Sequence, residues 1–580
     1  MTYLFNDPAH FADELLMGFV KANPTLVRLV TGGVVRASRP TQGQVAVVIG
    51  GGSGHYPAFA GLVGAGLAHG AAMGNLFASP SAQQIYTVAK AVSAEAGILF
   101  AYGNYAGDVL NFDQAQARLI AEGIPCRTLA VTDDISSATV AEKHKRRGIA
   151  GDLAVFRAAA WAAESGRNLD AVWAMAKHAN ENTRTFGVAF TGCTLPGSSA
   201  PLFSVPEGRM AVGMGIHGEP GIGEQDVPSA HGLAELLVAG LLDERPEHIR
   251  KASGSRVAVI LNGLGSVKYE ELFVTYNSVH ALLSAAGITV VEPDIGELVT
   301  SFQMAGVSLT LFWLDSDLET AWNSASHTAA YRKSGVAPSP DSLRDEEDAT
   351  VVIGEITVGT DESRAAGVIV LATIRAIAMM VDLNVDEFGR LDSVAGDGDH
   401  GIGMQRGATA ALQAAGEAAG RGAGAGSILQ WAGDAWADRA GGTSGALWGL
   451  ALNALARAVG DQLPVTTSSV TAGVAAALTA LQAFGKAQFG DKTMIDVLSP
   501  VADSLEASAA AGQSFGESWN RAAHVARAAA AATSDLLPKI GRARPHLEAS
   551  LGTPDPGAVS LSLAIDAVAK VLSSEQKESE

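Results

Sequence analysis

Residues 333–362, KSGVAPSPDSLRDEEDATVVIGEITVGTDE, divide the chain into two regions too different in texture to share one core. Pro338 and Pro340 do not suit a helix interior or a central strand, and the acidic run Asp345–Asp348 favours water, so a linker is expected. Before it, nearly all-apolar runs alternate with helical stretches: Gln44–Ile49, Gly97–Tyr102, Thr128–Thr132, Val257–Leu261, Ile288–Glu292 and Ser308–Leu314. Apolar strands separated by helices imply sheets covered on both faces. Residues 1–332 are therefore predicted to be α/β, and their size, with the Gly/Pro-rich passage Thr191–Ser199, predicts two α/β lobes divided near residues 185–200. Residues 363–575 offer no convincing strand. Their Ala/Leu-rich segments, such as Val474–Phe484 and Trp519–Leu537, predict an all-α antiparallel bundle or barrel.

The 580 residues carry 40 Lys and Arg against 60 Asp and Glu, a formal charge of −20. That sign argues against nucleic acid or an anionic membrane as the main partner. A composition 48% hydrophobic and only 17% charged excludes wholesale disorder. Two cysteines, Cys126 and Cys193, are too few for a disulfide framework or a Cys-based zinc site, which fits a reducing, cytoplasmic setting. The N-terminal MTYLFNDPAHFADELL lacks the basic start and unbroken apolar core of a signal peptide, so secretion is not expected. The greasiest stretch, Ala365–Val381, is interrupted by Arg375 and reads as a buried helix rather than a membrane span.

Several glycine clusters invite a phosphate reading, but a Walker A sequence is absent. Two GxGxxG matches, at Gly213 and Gly396, lack the strand-to-helix context of a dinucleotide fold. Arg390–Gly407 is more informative, because it places Asp392, Asp397 and Asp399 within eight residues, spaced by glycines. Converging carboxylates repel one another unless a cation intervenes, and hard oxygen donors suit Mg²⁺. The alternative is a solvated Asp/Gly turn at a helix start. Gly441–Gly449 (GGTSGALWG) offers backbone N–H groups and the hydroxyls of Thr443 and Ser444 before a helical run, either an anion cradle or a plain N-cap. In the first region, GGGSGHYP follows the strand QVAVVI directly, and GNYAGDVLNF follows GILFAY. His55 and Asp108 are thereby placed at neighbouring strand ends, where α/β sheets bind ligands and where the two could form a general acid/base pair. A third loop, GMGIHGEPGIGE, presents His217 among small residues. A structural or surface role for any one of these histidines is the alternative.

GGGSGH, NYAGD, MGIHGEPG, the LD-x4-DGDHG string and GGTSGALWG, in this order, resemble the single-chain ATP-dependent dihydroxyacetone kinase family. There a ketose-binding DhaK-like domain precedes an ATP-binding DhaL-like domain. GDKTMID at 490–496 and DPGA at 555–558 extend the resemblance over nearly the whole chain. It implies that His217 holds the substrate as a hemiaminal, trapping short ketones and aldehydes rather than polyols. It implies that His55 and Asp108 hydrogen-bond the ketose and assist proton removal, within a substrate site that also takes in Gly52, Ser53, Gly54, Tyr56 and Gly103. Asp392, Asp397 and Asp399 match residues holding two Mg²⁺ ions on the ATP phosphates; His400, Gly401, Met404, Gly441, Gly442, Thr443, Ser444, Asp555 and Gly557 match the nucleotide site. Phosphoryl transfer of this kind needs alignment and charge neutralisation more than covalent chemistry. A homodimer is also implied, the ATP domain of one chain facing the ketose domain of the other.

Two positions depart from the family pattern. Dihydroxyacetone-specific members read GGGSGHEP and KNYTGD, whereas Tyr56 stands here for the Glu and Gly103 for the Lys. A Gly in place of Lys opens room, and a phenol offers a hydroxyl to a further substrate oxygen. Branches resembling this variant phosphorylate the four-carbon ketose erythrulose, so an erythrulose kinase is expected, with dihydroxyacetone as the alternative substrate. Three other readings stand beside it. A phosphocarrier-coupled kinase usually has its domains on separate chains, a ketose sensor would not need the three aspartates, and the third is a side activity that some family members show with Mn²⁺, the splitting of FAD to a cyclic FMN.

Overall fold

The computed structural model describes residues 2–39, 41–93, 95–335, 356, 358–394, 396–440, 442–540 and 550–579, which fall into two compact units. Residues 336–355, most of the expected linker, lie outside the described residues. Its two ends are ordered elements rather than linker, since Lys333 pairs in a strand and Asp361 and Glu362 begin a helix.

The first unit opens with α1 (Phe11–Ala22) and strands β1 (Val27–Val30), β2 (Gly33–Arg36), β3 (Ala46–Ser53), β4 (Gly64–Ala65) and β5 (Gly70–Leu76). Next come α2 (Ala82–Val92), β6 (Ile98–Gly103), α3 (Ala106–Ala121), β7 (Cys126–Val131), α4 (Asp152–Glu164) and α5 (Leu169–Glu181). One six-stranded sheet runs β1-β2-β5-β3-β6-β7, with β3, β5, β6 and β7 parallel. The second sheet begins at β8 (Thr183–Ala189), followed by β9 (Arg209–Val212), β10 (Gly223–Asp226), α6 (Ala230–Asp243), β11 (Arg256–Gly263) and α7 (Tyr269–Ala285). It is completed by β12 (Thr289–Val290), β13 (Asp294–Gly296) and β14 (Gly306–Leu314), in the order β10-β9-β8-β14-β11-β12 with β13 on β11. Here β14 is antiparallel to both β8 and β11, so this sheet is mixed. After α8 (Ser316–Asn323), β15 (Ser326–Thr328) pairs with β4 on one side and with β16 (Arg332–Lys333) on the other.

The largest core takes Val47, Ile49 and Leu99 from one sheet, Ala258, Ile260 and Phe312 from the other, and most of α4. Helix α4 is apolar or alanine almost all round, which is what a helix enclosed on every side requires. Its buried Arg157 is tolerated because Nη2 donates to the carbonyls of Ala321, Trp322 and Ser324.

The second unit is helical: α9 (Asp361–Asp392), α10 (His400–Gly420), α11 (Ala425–Ala440), α12 (Gly442–Val459), α13 (Thr467–Gly485), α14 (Ile495–Ala510), α15 (Phe515–Ala532) and α16 (Pro556–Ser579). Each packs on the next and α16 returns to α9, closing a ring. Close packing rests on small residues, with Ala408, Ala411, Ala415, Ala522, Ala523 and Ala526 all in its core. The expectation of a buried helix over Ala365–Val381 is corrected here. By length and composition α9, α13 and Pro556–Ser574 of α16 could each cross a membrane, yet only 22% of the most apolar stretch of α9 is buried. A ring helix buries its inner face, here Ile374, Ala378 and Val381, and leaves the outer one open, here Val368, Met379 and Leu383.

Candidate active site

In the first unit the parallel strands β3 and β6 end side by side, β3 running into Gly50–Ser53 and β6 into Gly103. His55 follows β3, and Asp108 lies in the first turn of α3. The loop joining β9 to β10 brings in His217 from the second sheet. Gly52, His55, Gly103, Asp108 and His217 thus line one narrow pocket, together with Tyr105 and with Asp152 from the start of α4.

The histidines form a directed pair. His55 Nδ1 lies 2.7 Å from the Thr300 carbonyl, an acceptor only, so this nitrogen carries the hydrogen. Burial, helped by the charge of His217, pulls the pKa of His55 down to about 3, leaving a neutral ring whose Nε2 is an acceptor. That atom is 3.0 Å from His217 Nε2, and His217 Nδ1 is 3.0 Å from Glu219 Oε1. Burial opposes ionisation of Glu219, but the hydrogen bond and charge of His217, with Arg147 beyond, outweigh it and hold the carboxyl at about 2. His217 thus bridges a carboxylate at Nδ1 and the accepting nitrogen of His55 at Nε2. Phe77 stacks on His55 with centroids 4.9 Å apart, and Tyr105 meets His217 edge-on at 4.8 Å, so aromatic rings wall the pair. Burial raises Asp108 to about 6 against the Ser79 hydroxyl and the charge of His217, and its Oδ1 has no hydrogen-bond partner among the described residues.

Three other expected substrate contacts do not line the pocket. Ser53 is buried and its hydroxyl donates to the Gly74 carbonyl. Gly54, at φ +105°, supplies the carbonyl that receives Phe302 N–H. Tyr56, expected to offer its hydroxyl to substrate, is 46% exposed, and its ring meets Phe19 edge-on. Its neighbour in sequence, His55, points into the pocket, and on an irregular segment adjacent side chains need not share a direction. Sequence reasoning also missed Glu219 and Tyr105, which stand inside the quoted MGIHGEPG and NYAGD strings without a role, and Phe77 and Asp152, which no quoted motif marks.

In the second unit Asp392 ends α9 and Asp399 sits at the N-cap of α10, with a tight loop between them. Gly398 adopts φ +77°, and a Cβ on Gly396 would lie 2.4 Å from Asp392 Oδ1, so both positions need glycine. The loop brings carboxylate oxygens of Asp392, Asp397 and Asp399 within 4.8 Å of one another. Asp392 Oδ2 is buried without a hydrogen-bond partner among the described residues. An all-oxygen donor set of three acids with an unmatched buried oxygen fits a hard divalent cation.

Beside it opens a cavity of about 380 Å³, lined by Asp392, Gly396, Thr443, Lys492 and Asp555 with apolar Leu447, Leu481 and Ile540. Burial raises Asp555 to about 7. Gly442 and Thr443 start α12, and Ser444 follows, so these residues form the first helical turn rather than a loop before it; Gly442 and Ser444 do not line the cavity. Gly441 lies outside the described residues. His400, Gly401 and Met404, expected at the nucleotide, do not line this cavity. His400 Nε2 is 3.0 Å from Ser560 Oγ, a Cβ on Gly401 would press on the Val385 carbonyl, and Met404 is core, so they hold α10 against α16 and α9. Gly557 sits behind Asp555, its Cβ position 3.1 Å from Asp555 Oδ1. Lys492, missed at the sequence level, is 5% exposed and donates to the carbonyls of Leu536, Ser550 and Thr553.

A narrow pocket with a histidine pair in one unit and an acidic loop beside a cavity in the other are the two sites of a two-domain phosphotransferase. Residues 17–330 match the Dak1 domain model and residues 394–570 the DAK2 domain model. The chain belongs to the single-chain dihydroxyacetone kinase family. It is 57% identical over 575 residues to an L-erythrulose kinase of Pectobacterium atrosepticum, covering 99% of this chain and 97% of that protein. It is 51% identical to a D-erythrulose kinase of Mycolicibacterium smegmatis, covering 98% of each. Among solved structures, the dihydroxyacetone kinase from C. freundii in complex with AMP-PNP and Mg²⁺ matches with a TM-score of 0.58 and 29% identity, over 98% of this chain and 99% of that one.

Proposed function

We propose that this chain is an ATP-dependent kinase that phosphorylates a terminal hydroxyl of erythrulose while His217 holds the ketose covalently. The observation that carries the reading is the pairing of His217 Nε2 with His55 Nε2 at 3.0 Å beside Asp108 in one buried pocket. Passage of the Nε2 proton from His217 to neutral His55 frees a lone pair. That pair adds to the ketone carbon, the C=O π electrons move to oxygen, and His55 returns the proton to give the hemiaminal hydroxyl. Glu219 keeps the other nitrogen of His217 protonated and fixes the ring. Asp108, as its carboxylate, accepts the proton of the substrate hydroxyl that attacks the γ-phosphorus of ATP, and ADP leaves.

The nucleotide is assigned to the cavity of the helical unit, its phosphates near Thr443 and the start of α12. Asp392, Asp397 and Asp399 would hold Mg²⁺, two ions in our reading. Bound there, Mg²⁺ neutralises phosphate charge in transfer. Ketose pocket and nucleotide cavity belong to different units, and we read the enzyme as a homodimer in which one chain's helical domain serves the other chain's ketose pocket. A cytoplasmic setting suits Cys126 and Cys193, both buried free thiols whose pKa values burial pushes up to about 12 and about 11.

Erythrulose rather than dihydroxyacetone is supported by the relatives' substrates; the room expected at Gly103 is not its basis, because a Cβ there would meet the Tyr105 ring at 3.1 Å and the Gly148 carbonyl at 3.2 Å. Steady-state kcat/KM for L-erythrulose, D-erythrulose and dihydroxyacetone tests the choice, with an erythrulose enantiomer expected to lead. A tenfold or greater preference for dihydroxyacetone would sink it.

A further inference from the structure

Asp152 begins α4 and is 2% exposed, yet the steps above give it no task. Its carboxyl meets the ketose pocket between two glycines. A Cβ on Gly103 would lie 3.4 Å from Asp152 Oδ2, and one on Gly148 would lie 2.7 Å from Oδ1. The two glycines let the backbones of β6 and residue 148 close on the carboxyl, which lines the pocket with Asp108 and the histidine pair. Asp152 Oδ1 has no hydrogen-bond partner among the described residues. A buried polar atom left unmatched is costly and calls for an explanation.

Nothing in its surroundings supplies one. Asp133, the neighbouring acid, accepts the N–H groups of Ile149 and Gly151 and is a folded-state anchor. Asp108 is committed to the hydroxyl that is phosphorylated, and the histidine pair to the carbonyl. Burial, with Asp133 and Asp108 close by, raises the Asp152 pKa, which favours the neutral carboxyl. A neutral carboxyl both donates and accepts, as a hydroxyl does.

We propose that Asp152 is a specificity-determining residue whose carboxyl hydrogen-bonds the one hydroxyl that erythrulose carries and dihydroxyacetone lacks. The identity of that hydroxyl rests on the proposed erythrulose activity; the contact rests on the bare oxygen of Asp152 in the pocket wall. A site built to bond a substrate hydroxyl discriminates strongly against the analogue without it, because its own polar group then stays unpaired. Selectivity for the longer ketose follows from that penalty.

The test compares kcat/KM for both erythrulose enantiomers and dihydroxyacetone in wild type, Asp152→Ala, Asp152→Leu and Asp152→Asn, with thermal melting of each variant. The alanine and leucine variants are expected to lose at least thirtyfold on the preferred erythrulose and less than threefold on dihydroxyacetone. Asparagine, which still donates and accepts, keeps the wild-type ratio within about threefold. Leucine fills the carboxyl's space, so one of the two apolar variants decides the matter if the other fails to melt cooperatively. Equal losses on both ketoses, or an unmoved ratio, overturn the assignment of Asp152 even where wild type prefers erythrulose. A wild-type preference for dihydroxyacetone overturns the substrate reading instead, so the two failures are distinguishable.

Discussion

The groups of the ketose pocket are buried and mostly matched to one another, whereas the aspartates of the helical unit gather at a surface with like charges facing. His55 is 1% exposed, and its protonation is set by Thr300, His217 and burial. Asp397 and Asp399 are exposed and Asp392 half-buried, held together by the glycines of a loop. A buried site is prepared in advance, because the low dielectric fixes which atoms carry protons before a small uncharged ketose arrives. An exposed acidic site is finished by what binds it, because its charges repel until a cation joins them. Covalent capture and phosphoryl transfer should therefore separate under mutation.

The largest effect expected is that separation. Asp397→Ala should lower ketose-dependent ADP release by on the order of a thousandfold. It should leave ketose capture, read as the mass increment of the intact protein after desalting, at wild-type level. His217→Ala should abolish the increment and leave Mg·nucleotide affinity within about twofold of wild type. Mixing the two variants then probes the dimer: with sites shared between chains, half the chains' pockets in mixed dimers are whole, and roughly a quarter of wild-type activity returns. No recovery on mixing would place each reaction within one chain. Loss of ketose capture in Asp397→Ala would break the contrast itself.

A smaller effect sharpens the electrostatic half of the comparison. Asp108 acts as its carboxylate, and burial raises its pKa to about 6. Activity is then full above that pH and lost as pH falls through it, kcat/KM at pH 5 being roughly tenfold below the plateau. His55, at about 3, stays neutral over that range and adds no limb. An acid limb centred near 4, the ordinary carboxylate range, would show that the pocket does not desolvate Asp108.

The same division governs what could be read from the residues alone. Strands β3, β6, β11 and β14 were legible because they are nearly all-apolar runs enclosed on both faces, and β7 through its apolar end Leu129–Val131, although its positions are only alternately buried. Strand β10 was not, being Gly-Glu-Gln-Asp, wholly exposed and defined only by pairing with β9. Nor was β8, where buried Arg184 is accommodated by the Glu244 carbonyl far along the chain. At the site, glycine strings marked His55, Asp108, His217 and the three aspartates, since a backbone that must turn sharply or approach a ligand needs glycine nearby. Asp152 gave no such mark, standing at the head of an alanine-rich helix, and Glu219 acquires its task only from the position of His217. His400 and Met404 follow the aspartate string in sequence, but a helix beginning at His400 turns them toward its neighbours.

Lys492 tests whether the helical unit has a prepared part of its own. Its ammonium lies 3.1, 2.7 and 2.9 Å from the carbonyls of Leu536, Ser550 and Thr553, residues 44 to 61 positions further along the chain. Asp496 fixes the preceding turn by accepting Gly490 N–H and Thr493 N–H. A buried cation with three carbonyl acceptors ties the segments flanking residues 541–549 to the cavity wall. Lys492→Met keeps the length of the side chain and removes all three donated bonds. The cost expected is about 2–4 kcal/mol, since the carbonyls lose a charged donor in a buried setting. For a domain of this size that is a fall in Tm of roughly 5–12 °C, read by circular dichroism of the helical signal. Nucleotide KM should rise, because Lys492 lines the same cavity, while ketose capture on His217 stays at wild-type level. An unchanged Tm would mean that the carbonyls find water instead and that the helical unit, like its aspartates, is completed by what binds it.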